Sequence, residues 1–343
     1  MAGGSAVPEL TYKDAIRQAL LEEMEADPAV FMMGEDIGKY QGTFMITAGF
    51  LEKFGDRRVV DTPISESGFV GIAFGAALMG LRPVVELMTI NFSMVAMDQI
   101  VNHAAKWRYM SDGQFTVPMV IRGPGGPVSQ LAAQHSHSLE SWFAHSPGLK
   151  VVMPATPSDA KGLLRTAIRD DNPVIFIEHG RLYNTRGEVP EGDYDCPIGK
   201  AAIRRPGRDL TIVAYSSLVP VALNAAKTLA KEGIEAEVVD LRTISPLDID
   251  TVIQSVRKTN RAVVCQEEWK FIGVAAEVAS QIYEKAFDDL DAPVERVGAA
   301  DVPLPYARNL ETLAIPNDQS IIDAAHRAIR GIKKSAGPGI RVA

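Results

Sequence analysis

Short unbroken apolar runs alternate along this chain with longer stretches of helical period, and that alternation leaves few folds open. The runs are Val30–Gly34, Val59–Thr62, Pro83–Met88, Val117–Arg122, Lys150–Met153 and Val174–Glu178, then Leu210–Tyr215, Ala236–Asp240, Arg261–Gln266 and Val294–Gly298. Several lack the in-and-out alternation of a half-wet strand. VFMMG and VIFIE, for example, read as strands covered on both faces. Between the runs, Tyr12–Glu25, Ser158–Arg169, Val219–Lys231, Ile249–Lys258 and Ile321–Arg330 carry helical spacing. The expected class is α/β, with parallel sheets covered by helices on both faces.

At 343 residues the chain is long enough for two such units. Between Gly180 and Gly207 the apolar period lapses into glycine, proline and charge, as surface connections do. Expected boundaries are a first domain over 1–190, a linker over 191–206, a second domain over 207–330 and a loosely held basic tail over 331–343. The balance of 43 acidic against 35 basic residues repels phosphate backbones and anionic lipid, so neither a nucleic acid nor a membrane is expected as partner. The apolar run Phe69–Leu81 is too short and too rich in glycine to span a bilayer. Cys196 and Cys265 are too few for a disulfide scaffold and suit a reducing compartment. The opening MAGGSAVPELTYK has no charged-then-apolar leader pattern. A bacterial cytoplasmic protein is expected, with the mitochondrial matrix or a plastid as the alternative after removal of a transit peptide.

The segment Phe92–Tyr109 is apolar around most of a helical wheel, which fits either a core helix or a subunit interface; the interface is preferred. Several routes to chemistry lack their usual signs. No GxGxxG follows a strand, no P-loop is present, and neither a GxSxG elbow nor an HExxH helix occurs.

Two places remain where chemistry fits. In Asp61-Thr-Pro-Ile-Ser-Glu-Ser-Gly68 a strand ends, Pro63 forces an extended turn and a glycine-rich helix follows. Glu66 therefore stands at the carboxyl edge of a sheet, where ligands of open α/β folds collect. Between apolar Ile64 and Phe69 it is a candidate for proton transfer. The plain alternative is a helix start, with Ser65 as N-cap and Glu66 favoured by the dipole. The second place is Ala132-Ala-Gln-His-Ser-His-Ser138, with His145 beyond it; three of the six histidines crowd beside a Gly/Pro-rich loop. Ordinary hydrogen-bonded loop histidines and a metal held by His135 and His137 are the alternatives. A weaker feature is Ala167-Ile-Arg-Asp-Asp-Asn-Pro173, a helix stop rich in oxygen ligands.

Taken together these segments resemble a known family. GED (34–36), DTPISE (61–66), NFSM (91–94), DQIVNxAAKxRYMS (98–111), AAQHS (132–136), PGLKVV (147–152), IRDDNPVIFIE (169–178), PIGKA (197–201), DLRTISPLD (240–248) and GAADVPLPYA (298–307) follow in order. The chain is similar over roughly residues 9 to 330 to the β subunit of the thiamine-diphosphate-dependent 2-oxoacid dehydrogenases, the E1 component. NFSM, AAQHS and ADVPLPYA resemble its pyruvate branch most; acetoin and branched-chain 2-oxoacid enzymes are the alternatives within the family. A non-catalytic interaction subunit is the alternative of another kind. The resemblance implies a pyrimidine-binding domain followed by a transketolase-like C-terminal domain. It assigns Glu66 to the aminopyrimidine N1′ of thiamine diphosphate, Phe92 to the face of that ring with Ile64 and Met88 beside it, and His135 to decarboxylation or acyl transfer to lipoamide. It places a potassium ion among Ala167, Ile168, Asp170, Asn172 and Met119. The family's GDG motif for magnesium and diphosphate is absent here, with Ser111-Asp-Gly113 the nearest approach. An α subunit is therefore expected to hold magnesium and the diphosphate in an α2β2 heterotetramer, docked on a dihydrolipoyl acyltransferase E2 core.

Overall fold

The computed structural model describes residues 7–128 and 130–330; the tail expected over 331–343 lies outside the described residues. All of the expected apolar runs are strands, distributed over two sheets. The larger sheet has the order Thr243–Ser245, Lys150–Val152, Val174–His179, Val120–Gly125, Arg82–Glu86, Val30–Gly34, Val59–Asp61. Every pairing in it is parallel except that of Thr243–Ser245 with Lys150–Val152. The second sheet runs Glu295–Ala299, Ala262–Trp269, Leu210–Ala214, Ala236–Asp240, Ala202–Arg205, and only the last pairing is antiparallel. A small ribbon pairs Glu9–Thr11 with Arg186–Glu188.

Helix ends follow local chemistry. The Thr11 hydroxyl accepts from Asp14 N at the start of Tyr12–Ala26, and the Thr156 hydroxyl from Asp159 N at the start of Pro157–Arg169, which opens on proline. Asp248 caps Ile249–Thr259, and Asn260 ends that helix at a left-handed φ of 59°.

Two expectations need correction. The segment 191–206 is not all linker, because Ala202–Arg205 is an edge strand of the second sheet. Its sequence AIRR has no strand-like alternation. The strand is held by ladder bonds to Ala236–Asp240 and by the Arg204 guanidinium, which lies 2.9 Å from the Asp240 carboxylate. Nor is Phe92–Tyr109 one helix: a 3₁₀ turn Ile90–Ala96 leads into a π-helix Asp98–Ala104 and a short α-helix Trp107–Met110. The wider π turn, with Ala105 N bonded to Ile100 O at 3.0 Å, keeps Ile100 and Ala104 buried. Phe74 of helix Glu66–Leu78 packs edge-on against Trp107, with ring centroids 5.5 Å apart. The inner face is thus core, while Met94, Val95, Tyr109 and Met110 are exposed.

One apolar core runs through both sheets, joining Val151 and Ile175 to Val213, Tyr215 and Val239. Buried carboxylates lie at this junction. Glu140 Oε1 accepts from the Tyr215 hydroxyl at 2.9 Å, and its buried Oε2 has no partner among the described residues. Burial first, then the charge of Glu268, pushes Glu140 well above the ordinary glutamate range. A raised folded pKa means that the stability linked to this group is complete below its ordinary value of 4.5 and is lost as pH rises through the folded value. Glu140→Gln keeps an oxygen facing Tyr215 and removes the charge. It should raise Tm at pH 8 by about 2–4 °C, with the gain shrinking towards pH 4.5, as scanning calorimetry would record. A lower Tm at pH 8 would contradict this account.

Candidate active site

Strands Val30–Gly34, Val59–Asp61 and Arg82–Glu86 are in register at their carboxyl ends, with Gly34 beside both Asp61 and Glu86. Only glycine permits that approach, since a Cβ on residue 34 would stand 2.5 Å from the Glu86 carbonyl oxygen. Glu35, the turn Thr62–Ser65 and Leu87–Phe92 therefore leave the sheet side by side.

Glu66 is the first residue of helix Glu66–Leu78 and only 5% exposed. Ser65 occupies the N-cap position and Glu66 the first turn, as the helix-start reading has them, although the Ser65 side chain makes no capping bond among the described residues. Glu35, which sequence reasoning did not single out, faces Glu66. Burial raises its carboxyl above the usual range, and the Glu66 charge adds to the effect. Among the described residues neither Glu35 Oε1 nor Thr62 Oγ1, both buried, has a partner. The available signal was position: Glu35 directly follows a strand at the edge where Glu66 was placed. Asp61 pins the loop that Glu35 opens, its carboxylate accepting from Gly38 N at 2.6 Å and Lys39 N at 2.9 Å.

Phe92 and Met88, both half-buried, follow strand Arg82–Glu86 at the same sheet edge and are the candidate apolar wall of the site. Ile64, expected in the same wall, is 85% exposed and points away from the core of this chain. His135 is exposed on the turn Ala133–His135, and its ring meets Phe92 edge-on at 5.5 Å and 83°. The two residues are distant in sequence and joined only by the fold. His137 turns inward instead, with Nδ1 2.6 Å from Asn91 Oδ1. Burial, then the neighbouring His135, lowers its pKa. A metal shared by His135 and His137 finds no support, because among the described residues no three His, Cys, Asp or Glu are grouped to hold one.

An ion-pair cluster that sequence reasoning also missed joins the neighbouring strands Arg82–Glu86, Val120–Gly125 and Val174–His179. The Arg122 guanidinium, 1% exposed, contacts Glu178 Oε1 at 2.5 Å and pairs with Glu86, while the Tyr183 hydroxyl donates to Glu178 Oε2 at 2.8 Å. Glu86 ends the strand that leads to Met88 and Phe92. The potassium candidates do come together at one corner. There the Ile168 and Asp170 carbonyls accept from Arg82 at 3.1 and 3.2 Å, and Lys150 pairs with the Asp170 carboxylate. Asn172 Nδ2 donates to Asp170 Oδ1 at 2.8 Å, and Met119 O accepts from Val174 N. Side-chain cations thus already supply positive charge to these oxygens.

Comparison with known proteins matches residues 8–186 to the transketolase pyrimidine-binding domain and residues 199–321 to the transketolase C-terminal domain. A solved split-gene transketolase, described as an inactive β4 tetramer, superposes with a TM-score of 0.77 over 94% of this chain and 98% of its own. At 23% identity that likeness concerns the fold alone. The mitochondrial pyruvate dehydrogenase E1 subunit β-2 of Oryza sativa subsp. japonica is 53% identical, covering 95% of this chain and 88% of its own. The pyruvate dehydrogenase E1 subunit β of Rickettsia felis is also 53% identical, covering 93% of this chain and 98% of its own. In that of Rhizobium meliloti the match is 51%, over 94% and 70%. With both domains matched in order and half of the residues shared along nearly its whole length, the chain belongs to the family of pyruvate dehydrogenase E1 β subunits.

Proposed function

We propose that this chain forms one half of a thiamine-diphosphate site that decarboxylates pyruvate and passes the acetyl group to lipoamide. The observation that carries the reading is the buried Glu66 carboxylate at the sheet edge, beside Glu35 and an aromatic wall. A heteroaromatic ring with one protonatable nitrogen fits such a place. Thiamine diphosphate, when bound, supplies a nucleophilic thiazolium carbon and an electron sink. Glu66 would share one proton with the pyrimidine nitrogen, donating to it as the acid and accepting from its N–H as the carboxylate. Its low exposure strengthens that bond by keeping water away. Glu35 resists ionising beside it, which limits the repulsion that two buried charges would suffer. Phe92 and Met88 set the plane of the ring. His135, at the exposed rim, is placed to hand protons to the substrate side.

Magnesium and the diphosphate are assigned to an α subunit in an α2β2 assembly, because no GDG segment is present in this chain. Docking on a dihydrolipoyl acyltransferase core belongs to the same reading. A potassium ion at the Asp170 corner would share its carbonyls with Arg82, and no step depends on it. The compartment we favour is a bacterial cytoplasm. Its support is that Cys196 and Cys265 are buried free thiols. No helix among the described residues is long and apolar enough to cross a membrane.

The test is reduction of an artificial electron acceptor with thiamine diphosphate and magnesium present, by this chain alone and co-expressed with an α partner. Activity only in the pair, and greatest with pyruvate, is expected. Preference for acetoin or a branched 2-oxoacid would change the substrate. Activity of the chain alone would refute the shared site. A loaded, assembled pair silent on every substrate would favour a non-catalytic subunit.

A further inference from the structure

The loop carrying His135 leaves strand Val120–Gly125, and hydrogen bonds among its described residues hold it at separate points. Gly126 N donates to His137 O at 2.9 Å, and Gln130 N donates to Glu311 Oε1 at 3.0 Å. Between these ties the backbone is strained, with Gln130 and Ala132 at φ values of 51° and 61°. Non-glycine residues hold such angles only where surrounding contacts over-determine them.

Among the described residues a further hydrogen-bonded tie runs through a single side chain, Asn91. Asn91 is 2% exposed and immediately precedes Phe92 in the turn Ile90–Ala96. Its Oδ1 accepts from His137 N at 2.9 Å and from the His137 ring at Nδ1, 2.6 Å away. Its Nδ2 donates to Thr89 Oγ1 at 3.0 Å. The peptide N–H can only donate, so it fixes which end of the amide faces the loop, and that in turn places the ring proton of His137 on Nδ1. The far side of the His137 ring packs edge-on to Trp269, with centroids 6.0 Å apart. One buried amide therefore joins the turn that carries Phe92 to the loop that carries His135.

We propose that Asn91 is a positioning residue, acting through His137 to hold His135 at its place beside Phe92. The inference rests on the reading of His135 given above. Misplacement of a reacting group by about 1 Å costs on the order of 10²-fold in rate, so an exposed histidine on a strained loop needs such an anchor.

The test uses the enzyme assembled with its α partner. Asn91→Ala should lower kcat for lipoyl acetylation by about 10- to 50-fold. The KM for pyruvate, and thiamine diphosphate affinity by tryptophan fluorescence, should stay within about twofold. Asn91→Asp keeps the acceptor oxygen and should return kcat to within about threefold of the parent. In a double-mutant cycle, Asn91→Ala should add nothing to His135→Ala. Full additivity, or parental kcat in Asn91→Ala, would overturn the proposal.

A measurement independent of turnover separates this proposal from the reading beneath it. Carbethoxylation of His135, followed by peptide mass spectrometry, should accelerate several-fold in Asn91→Ala as the loop loosens; an unchanged rate overturns the positioning role. Parental activity in His135→Ala would instead sink the reading of His135, while the labelling result still decides for Asn91. Should Asn91→Ala not assemble, His137→Ala removes the ring bond alone and should cost about threefold in kcat. Parental kcat there would overturn the proposal as well.

Discussion

Glu66→Gln in the assembled enzyme should reduce decarboxylation by about 10²- to 10⁴-fold, the range associated with loss of a positioned proton carrier. The substitution is nearly isosteric, so the groove and the heterotetramer should survive. Electrostatics favour the variant in the folded state. Glu66 is 5% exposed and faces Glu35, whose carboxyl is held up by burial and by the Glu66 charge. Removing one of two facing acids relieves repulsion, so Tm should stay level or rise. Loss of turnover with unchanged or higher stability distinguishes a group kept for chemistry from one kept for packing. The pair of measurements is steady-state turnover with pyruvate and calorimetry on the same preparation. Full activity would remove Glu66 from the mechanism and with it the main support for the cofactor site. A collapse of Tm would mean that its role is structural.

The second large effect concerns stability. Arg122 is buried between Glu86 and Glu178 on neighbouring strands, with Tyr183 completing the contacts of Glu178. Burial opposes the guanidinium's charge, but the two carboxylates more than offset it and raise its pKa. Glu86 is pushed up by burial and drawn down again by Arg122. Removing the arginine leaves two carboxylates in a dry interior with no counter-charge. Arg122→Met should therefore cost about 3–5 kcal/mol, read as a fall in denaturation midpoint. Neutralising the partners as well, in Arg122→Met/Glu86→Gln/Glu178→Gln, should recover more than half of the loss, because the penalty lies in the unpaired charge. A single variant within about 1 kcal/mol of the parent would show that water reaches the cluster. Glu86 leads directly into Met88 and Phe92, so the single variant should also loosen the aromatic wall and weaken cofactor binding.

The strands of the parallel sheets were legible because being covered on both faces demands continuous apolar runs such as VFMMG and VIFIEH. Ala202–Arg205 was not legible: an edge strand is held by its neighbour's ladder and by Arg204 reaching Asp240, and neither leaves a local pattern. The broken course of Phe92–Tyr109 was hidden for a related reason. Apolar periodicity reports which residues seek cover, whereas the switch from 3₁₀ to π geometry depends on the helix Glu66–Leu78 packed against it.

Glu66 could be placed from sequence alone, since a strand end, a proline turn and a helix start fix a residue at the sheet edge through covalent connectivity. So could the class of fold and the family. What only the tertiary structure decided are the pairings between distant segments: Glu35 against Glu66, His135 against Phe92, Asn91 on His137, and Arg122 between two glutamates. Local sequence encodes periodicity and turn chemistry over a few residues. A carboxylate's environment, or a histidine's neighbour across the sheet edge, is set by how whole strands register against one another, and that register arises only when the core closes.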